Sequence, residues 1–197
     1  SVIQMYPRLY LYHAWVLYLT NQISAAQQRV AAAESALNNM SSRPDLLMAG
    51  MLAAVHSTLT GVQQQFPETL VLSRQALELL PEEAVSWRCM AAINLGVTCA
   101  YIGEVQEAVD ILAYAMELSQ EIGSSFAMLS AFWHLSSLQT AQLLLQAAEN
   151  TCRHLEHAAH MPGLQRFPTS GYVTLLLGEI SLERNDLDAA DRYLLES

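Results

Sequence analysis

The sequence predicts an all-α fold: a right-handed α-α superhelix, a solenoid of about five helical hairpins and ten helices. Three observations carry that prediction. Apolar residues make up 52% of the 197, Ala and Leu are the commonest, and Gly (8) and Pro (6) are sparse. Such a composition favours helix, because Ala and unbranched-stem Leu lose little freedom on entering one. A unit of small residue, turn residue and small residue recurs along the whole chain. The helix breakers fall between these units rather than inside them.

The clearest unit is AAINLGVTCAYIGEVQEAVDILAYAMELS, residues 91–119. It holds Leu95-Gly96, Tyr101, Gly103, Ala108, Leu112 and Ala115 in the order and spacing of the tetratricopeptide motif, which it resembles. A small residue in the first helix lets the second approach, Gly103 suits a left-handed cap, and small residues in the second helix pack back on the first. Weaker copies follow the same frame. Ala14, Asn21 and Ala26 fill it near the N-terminus; Ser57, Gln64, Thr69 and Ala76 fill it next. Ser136 and Ala148 flank Leu143, which stands where a turn Gly belongs, and Gly178, Asn185 and Ala190 complete the last copy. Taking Ala26, Thr69, Ala108, Ala148 and Ala190 as equivalent gives spacings of 43, 39, 40 and 42 residues. The period of about 41 exceeds the usual 34 of the motif, so each helix is expected to be about one turn longer.

Pro44, Pro67, Pro81 and Pro168 stand at predicted helix starts, where proline is tolerated. Glu82 and Glu83 favour a helix N-terminus there through the dipole. Gly103-Glu104 and Asn185-Asp186 read as tight inter-helix turns, and the longest irregular stretch is MPGLQRFPT, residues 161–169. No linker divides the chain, which reads as one TPR-like helical-repeat domain over 1–197. Neither end resembles a polar capping helix, so a fragment of a longer array is expected.

The run ALELLPEEAVSWRCMAAINLGVTCAYIGEVQEAV, residues 76–109, resembles the helical sensor region of MalT-like, LuxR-type ATP-dependent transcriptional activators. A Leu-Leu-Pro, a following Arg, Leu-Gly and a Gly-acidic turn come in that order. GYVTLLLGEISLERNDLDAADRYL, residues 171–194, is similar to a later repeat of that region, and LYLYHAWVLYLTNQISAAQQRV, residues 9–30, to its start. Leu143 departs from the pattern, where the family often has Gly. The resemblance implies a module that binds an inducer or a regulatory protein and controls a switch from resting monomer to active oligomer. It also implies a nucleotide-binding domain before the module and a DNA-binding helix-turn-helix after it. Neither a GxxxxGK[ST] phosphate loop nor a basic recognition helix occurs in these residues.

Charge and motif content exclude several classes. The formal net charge is −10, there is no lysine, and the nine arginines are scattered from Arg8 to Arg192. Direct nucleic-acid binding needs a concentrated basic face, which this pattern lacks. No apolar run reaches the roughly 18 residues of a membrane span, and no secretory leader is legible at the start, so a cytoplasmic location is expected. Cys89, Cys99 and Cys152 are odd in number and read as small core residues. No nucleophile elbow, HExxH or dinucleotide fingerprint appears, and the acidic pairs Glu82-Glu83 and Glu104/Glu107 lie at helix starts, so no enzyme and no cofactor are expected. Cys152, His154, Glu156, His157 and His160 place three potential ligands on one helical stripe. Cys152 falls on a packing position, however, and the histidines fall at a helix C-terminus where they suit the dipole, so the cluster reads as capping and not as a metal site.

The aromatic residues are the most informative. Aligned on the repeat, the first helices present Trp15, Tyr18, Tyr101, Trp133, Tyr172 and Glu179 to the concave groove. Rings with a few polar groups in a concavity suit stacking on a sugar or holding a peptide. The same large residues could instead fill the wider core that longer helices make, and Trp87 beside Arg88 is ambiguous in the same way. The function expected is an effector-sensing module, with a small-molecule inducer or regulatory protein in the groove and the regulator's other domains as partners. The alternatives are a general protein-interaction scaffold and a self-associating oligomerisation module.

Overall fold

The computed structural model describes residues 8–39, 45–159 and 169–196, and no strand occurs among them. They form ten helices: α1 (Arg8–Leu19), α2 (Ile23–Asn38), α3 (Leu46–Val62), α4 (Phe66–Leu79), α5 (Val85–Ile102), α6 (Val105–Glu121), α7 (Ser125–Ala141), α8 (Leu145–Ala159), α9 (Thr169–Glu183) and α10 (Leu187–Glu196). The chain folds as two compact units, 1–103 and 104–197. In the first, successive helices pack on one another and α1, α3 and α5 stack side by side; in the second, successive helices pack likewise and α7 lies directly on α9.

The repeat frame appears as geometry. Asn21, Gln64, Leu143 and Asn185 adopt φ of 58–59°, and Gly103 adopts 87°. The five turn positions read from the sequence are therefore all left-handed. At four of them the same pair of bonds closes the helix. The αL residue's N–H donates to the carbonyl three residues back (Asn21 to Tyr18, Gln64 to Gly61, Leu143 to Thr140, Asn185 to Leu182, each 2.9 Å). The next residue's N–H donates five back (Gln22 to Leu17, Gln65 to Thr60, Leu144 to Gln139, Asp186 to Ser181) at 2.8–3.0 Å. This is the Schellman arrangement, which satisfies carbonyls a helix end leaves orphaned. The residue after the turn then starts the second helix, its carbonyl accepting from Ala26, Thr69, Ala108, Ala148 or Ala190 at 2.9–3.0 Å.

On either side of each turn the small residues are buried. Ala14, Ser57, Gly96, Ser136 and Gly178 occupy the first helices, and Ala26, Thr69, Ala108, Ala148 and Ala190 the second. A Cβ added at Gly178 would stand 2.7 Å from the Leu194 side chain, so here α9 and α10 approach closely enough that a methyl group would force Leu194 to shift. Where the small residue is Ser57, its hydroxyl donates to the Ala54 carbonyl at 2.8 Å and also accepts from the Asn94 amide of α5 at 2.9 Å. Asn94 donates again to Thr58 Oγ1 at 2.8 Å, so a satisfied polar clasp joins α3 to α5. The core of 1–103 is built around Leu11, Met48, Met51, Val55 and Leu59, and that of 104–197 around Phe132, Leu155, Val173, Leu176 and Ile180.

The start of α5 departs from the sequence reading. The helix begins at Val85, and Glu82 and Glu83 lie in the preceding turn, where the Ala84 N–H donates to the Pro81 carbonyl at 3.0 Å. Arg88 fills the place that reading gave to the acids as the organising charge. Its guanidinium donates to the carbonyls of Leu77 (2.9 Å) and Leu80 (2.8 Å), capping the C-terminal end of α4 where a cation is favoured. Pro67 is at the start of α4 as expected, while Pro44 and Pro168 lie outside the described residues.

Three substitutions test this account. Leu143 is 66% exposed, so it holds an unfavourable conformation while burying little. Leu143→Gly is expected to stabilise the chain by about 1 kcal/mol, the cost of αL for a residue with a Cβ, whereas Gly103→Ala should destabilise it by a similar amount; urea unfolding midpoints measure both. Arg88→Met should cost about 1–3 kcal/mol, because two carbonyls lose a charged donor, and hydrogen exchange should quicken first in the last turn of α4.

Candidate functional site

The six groove residues separate into three local arrangements. Trp15 and Tyr18 lie three residues apart on α1 with their rings stacked at 5.2 Å and 29°. Both are half-buried against the core of 1–103, and burial raises the Tyr18 phenol pKa above its ordinary value, so it stays neutral. These two rings contribute to packing as much as to any surface. Tyr101, next to the end of α5 and 70% exposed, stacks on Phe66 at the start of α4, 4.8 Å away and 16° from parallel. Phe66 was not singled out in the sequence, because a residue at the first position of a second helix has no groove-facing spacing. Trp87, half-buried, packs against the core of 1–103 and stands edge-on to Tyr12 at 5.2 Å.

The third arrangement brings together residues 39 positions apart. Trp133 on α7 and Tyr172 on α9 meet at 5.9 Å with an interplanar angle of 77°. Trp133 is half-buried against the core of 104–197, while Tyr172 is 46% exposed. Glu179, half-buried, follows Tyr172 by two helical turns on the same face of α9. Two first helices thus present an aromatic corner with a carboxylate further along. His134, next to Trp133, has its pKa lowered by burial and is neutral at neutral pH.

The charge around this face is one-sided. Thirteen of the nineteen acidic residues, but only four of the nine arginines, lie in 104–197. Two of those arginines are committed to one carboxylate: Glu149 on α8 accepts from Arg153 one turn on and from Arg184 at the end of α9, the latter at 2.9 Å. Arg192 donates to the Asp188 carbonyl at 3.3 Å. Among the described residues Glu179 has no ion pair or hydrogen bond.

Other candidates can be placed. Cys89, Cys99 and Cys152 are buried, and burial pushes the Cys89 thiol up to about 11. In the His-rich stretch Cys152 is buried and His154 is exposed, while His160 and the side chains of Glu156 and His157 lie outside the described residues. A cavity lined by Met116, Gln120, Met128, Phe132, His154 and Leu155 encloses about 10 Å³, room for one water. Among the described residues no helix is long and apolar enough to cross a membrane.

This frame is that of a tetratricopeptide-like solenoid, and the comparisons place it more narrowly. The chain belongs to the MalT-like TPR region family, whose model matches residues 50–197. Among solved structures it is similar to the apo form of RapI, at 13% identity and a TM-score of 0.72, over 95% of this chain and 67% of that one. That likeness shows the fold. No curated protein matches the chain.

Glu149 gives a pH prediction. Its hydrogen bonds to Arg184 and then Arg153 hold its pKa below the ordinary value, outweighing desolvation. A depressed folded-state pKa stabilises above the unfolded pKa of about 4.3, and that contribution fades as pH falls through the folded value. Stability should therefore drop below about pH 4.3, and Arg184→Gln should flatten that acid limb in pH-dependent thermal melts.

Proposed function

We propose that the chain is the effector-sensing, protein-interaction module of a MalT-like, LuxR-type transcriptional regulator, and that an inducer or regulatory protein bound to its first-helix face controls the switch to an active oligomer. The observation that carries this reading is the family match over residues 50–197, joined to a half-exposed ring pair on adjacent first helices. Proteins of this architecture bind through the face that stacked helices present, and the long period widens that face. Trp133, Tyr172 and Glu179 form its best-defined part, in 104–197; Trp15, Tyr18 and Tyr101 are the candidate rings of the first helices of 1–103. The role is non-catalytic and cytoplasmic, and the regulator's other domains supply nucleotide and DNA contacts. Such a division of labour requires only that the bound and free module differ in affinity for those domains.

Thermal-shift screening against oligosaccharides, nucleotides, metabolites and peptides tests the reading. A cognate effector at a hundred times its Kd should add about 2.7 kcal/mol of stability, and Tyr172→Ala should remove the response while leaving the unliganded melting temperature within a few degrees. No response across the panel, or responses indifferent to Tyr172, would count against a sensing face.

A further inference from the structure

We propose that the Trp133–Tyr172–Glu179 face recognises a basic peptide, seating one arginine or lysine side chain against the aromatic pair while Glu179, two helical turns along α9, attracts a further basic residue of the same chain. This rests on the reading that the first-helix face binds the effector, and narrows the effector to a chemical class.

Five observations favour that occupant. The rings meet edge-on at 77°, close to perpendicular, so they do not form one flat platform for a sugar. Aromatic faces attract ammonium and guanidinium groups through the ring quadrupole, most strongly at Trp. Glu179, half-buried on the same face of α9 as Tyr172, has no ion pair among the described residues. The three described arginines of this unit are already committed, Arg153 and Arg184 to Glu149 and Arg192 to a backbone carbonyl, while Arg166 lies outside the described residues. The surrounding unit, with thirteen acids and four arginines, adds a long-range field that draws a cation in and disfavours an anion. His134 is neutral at neutral pH and so adds no opposing charge.

Exposure decides between a peptide and an enclosed small cation. Tyr172 is 46% exposed, so the corner is open on one side. An open corner with a carboxylate two helical turns away suits an extended chain that delivers a long basic side chain and continues past it.

The test follows the three tryptophan indole N–H signals of the whole chain by NMR, with Trp133 assigned from Trp133→Phe. The probes are an alternating Gly/Arg decapeptide, its Gly/Glu counterpart, spermidine and a neutral oligosaccharide panel. The Gly/Arg peptide should shift the Trp133 signal and leave Trp15 and Trp87 in place, the Gly/Glu peptide should do nothing, and Glu179→Gln should weaken binding about tenfold. Tyr172→Leu should weaken it as well, and Tyr172→Phe should restore it. Equal binding to wild type and Glu179→Gln would overturn the proposal, reducing the effect to a diffuse field. Tighter binding of spermidine than of the peptide would overturn the peptide assignment. A Trp133 shift with neutral sugars alone would overturn the cation proposal while leaving the sensing face intact. Silence of Trp133 to every probe would overturn both.

Discussion

The close approach of paired helices, with a left-handed residue between them, is the constraint on which the rest depends. Two helices can meet at a short distance only where neither carries bulk, so each hairpin needs a small residue before and after its turn. Ala14 with Ala26, Ser57 with Thr69, Ser136 with Ala148, and Gly178 with Ala190 supply these in turn. The chain must also reverse within a few residues. Schellman bonds do this by taking up the last carbonyls of the first helix while the next residue's carbonyl begins the second. Position, turn and packing are therefore one condition, and meeting it repeatedly fixes which face each first helix presents.

Leu143 shows how strongly that condition binds. Nothing about leucine favours a positive φ, yet it takes 58°, within a degree of Asn21, Gln64 and Asn185. The bonds on both sides of the turn and the burial of Ser136 and Ala148 outweigh a local cost of about 1–2 kcal/mol. The same logic explains the serine and threonine scattered through the small positions. Their hydroxyls return to their own helix or to Asn94 or Thr60, so a polar atom is buried without losing its partner.

The candidate site follows from the frame. Because first helices stack on one another, side chains on equivalent faces of α7 and α9 become neighbours, and Trp133 meets Tyr172 although neither lies near the other in the chain. The arrangement is chemically asymmetric. Two arginines are drawn onto Glu149, and Glu179, two helical turns from Tyr172 on α9, has no such compensation among the described residues.

By itself the sequence determined the all-helical class, the five turns and the small-residue frame, because these depend on periodicity and on residue types whose conformational preferences are local. It also placed Trp133, Tyr172 and Glu179 on first helices. The tertiary structure alone decided which of the six candidates meet. It set Trp15 and Tyr18 against the core, gave Tyr101 to Phe66, and turned Trp133 and Tyr172 into a corner. It likewise moved the start of α5 past Glu82 and Glu83 and gave Arg88 the task of capping α4. Those outcomes depend on distances between helices that are remote in the chain. Spacing within a helix fixes the face a residue shares, but the partner it meets there is set by how neighbouring helices pack.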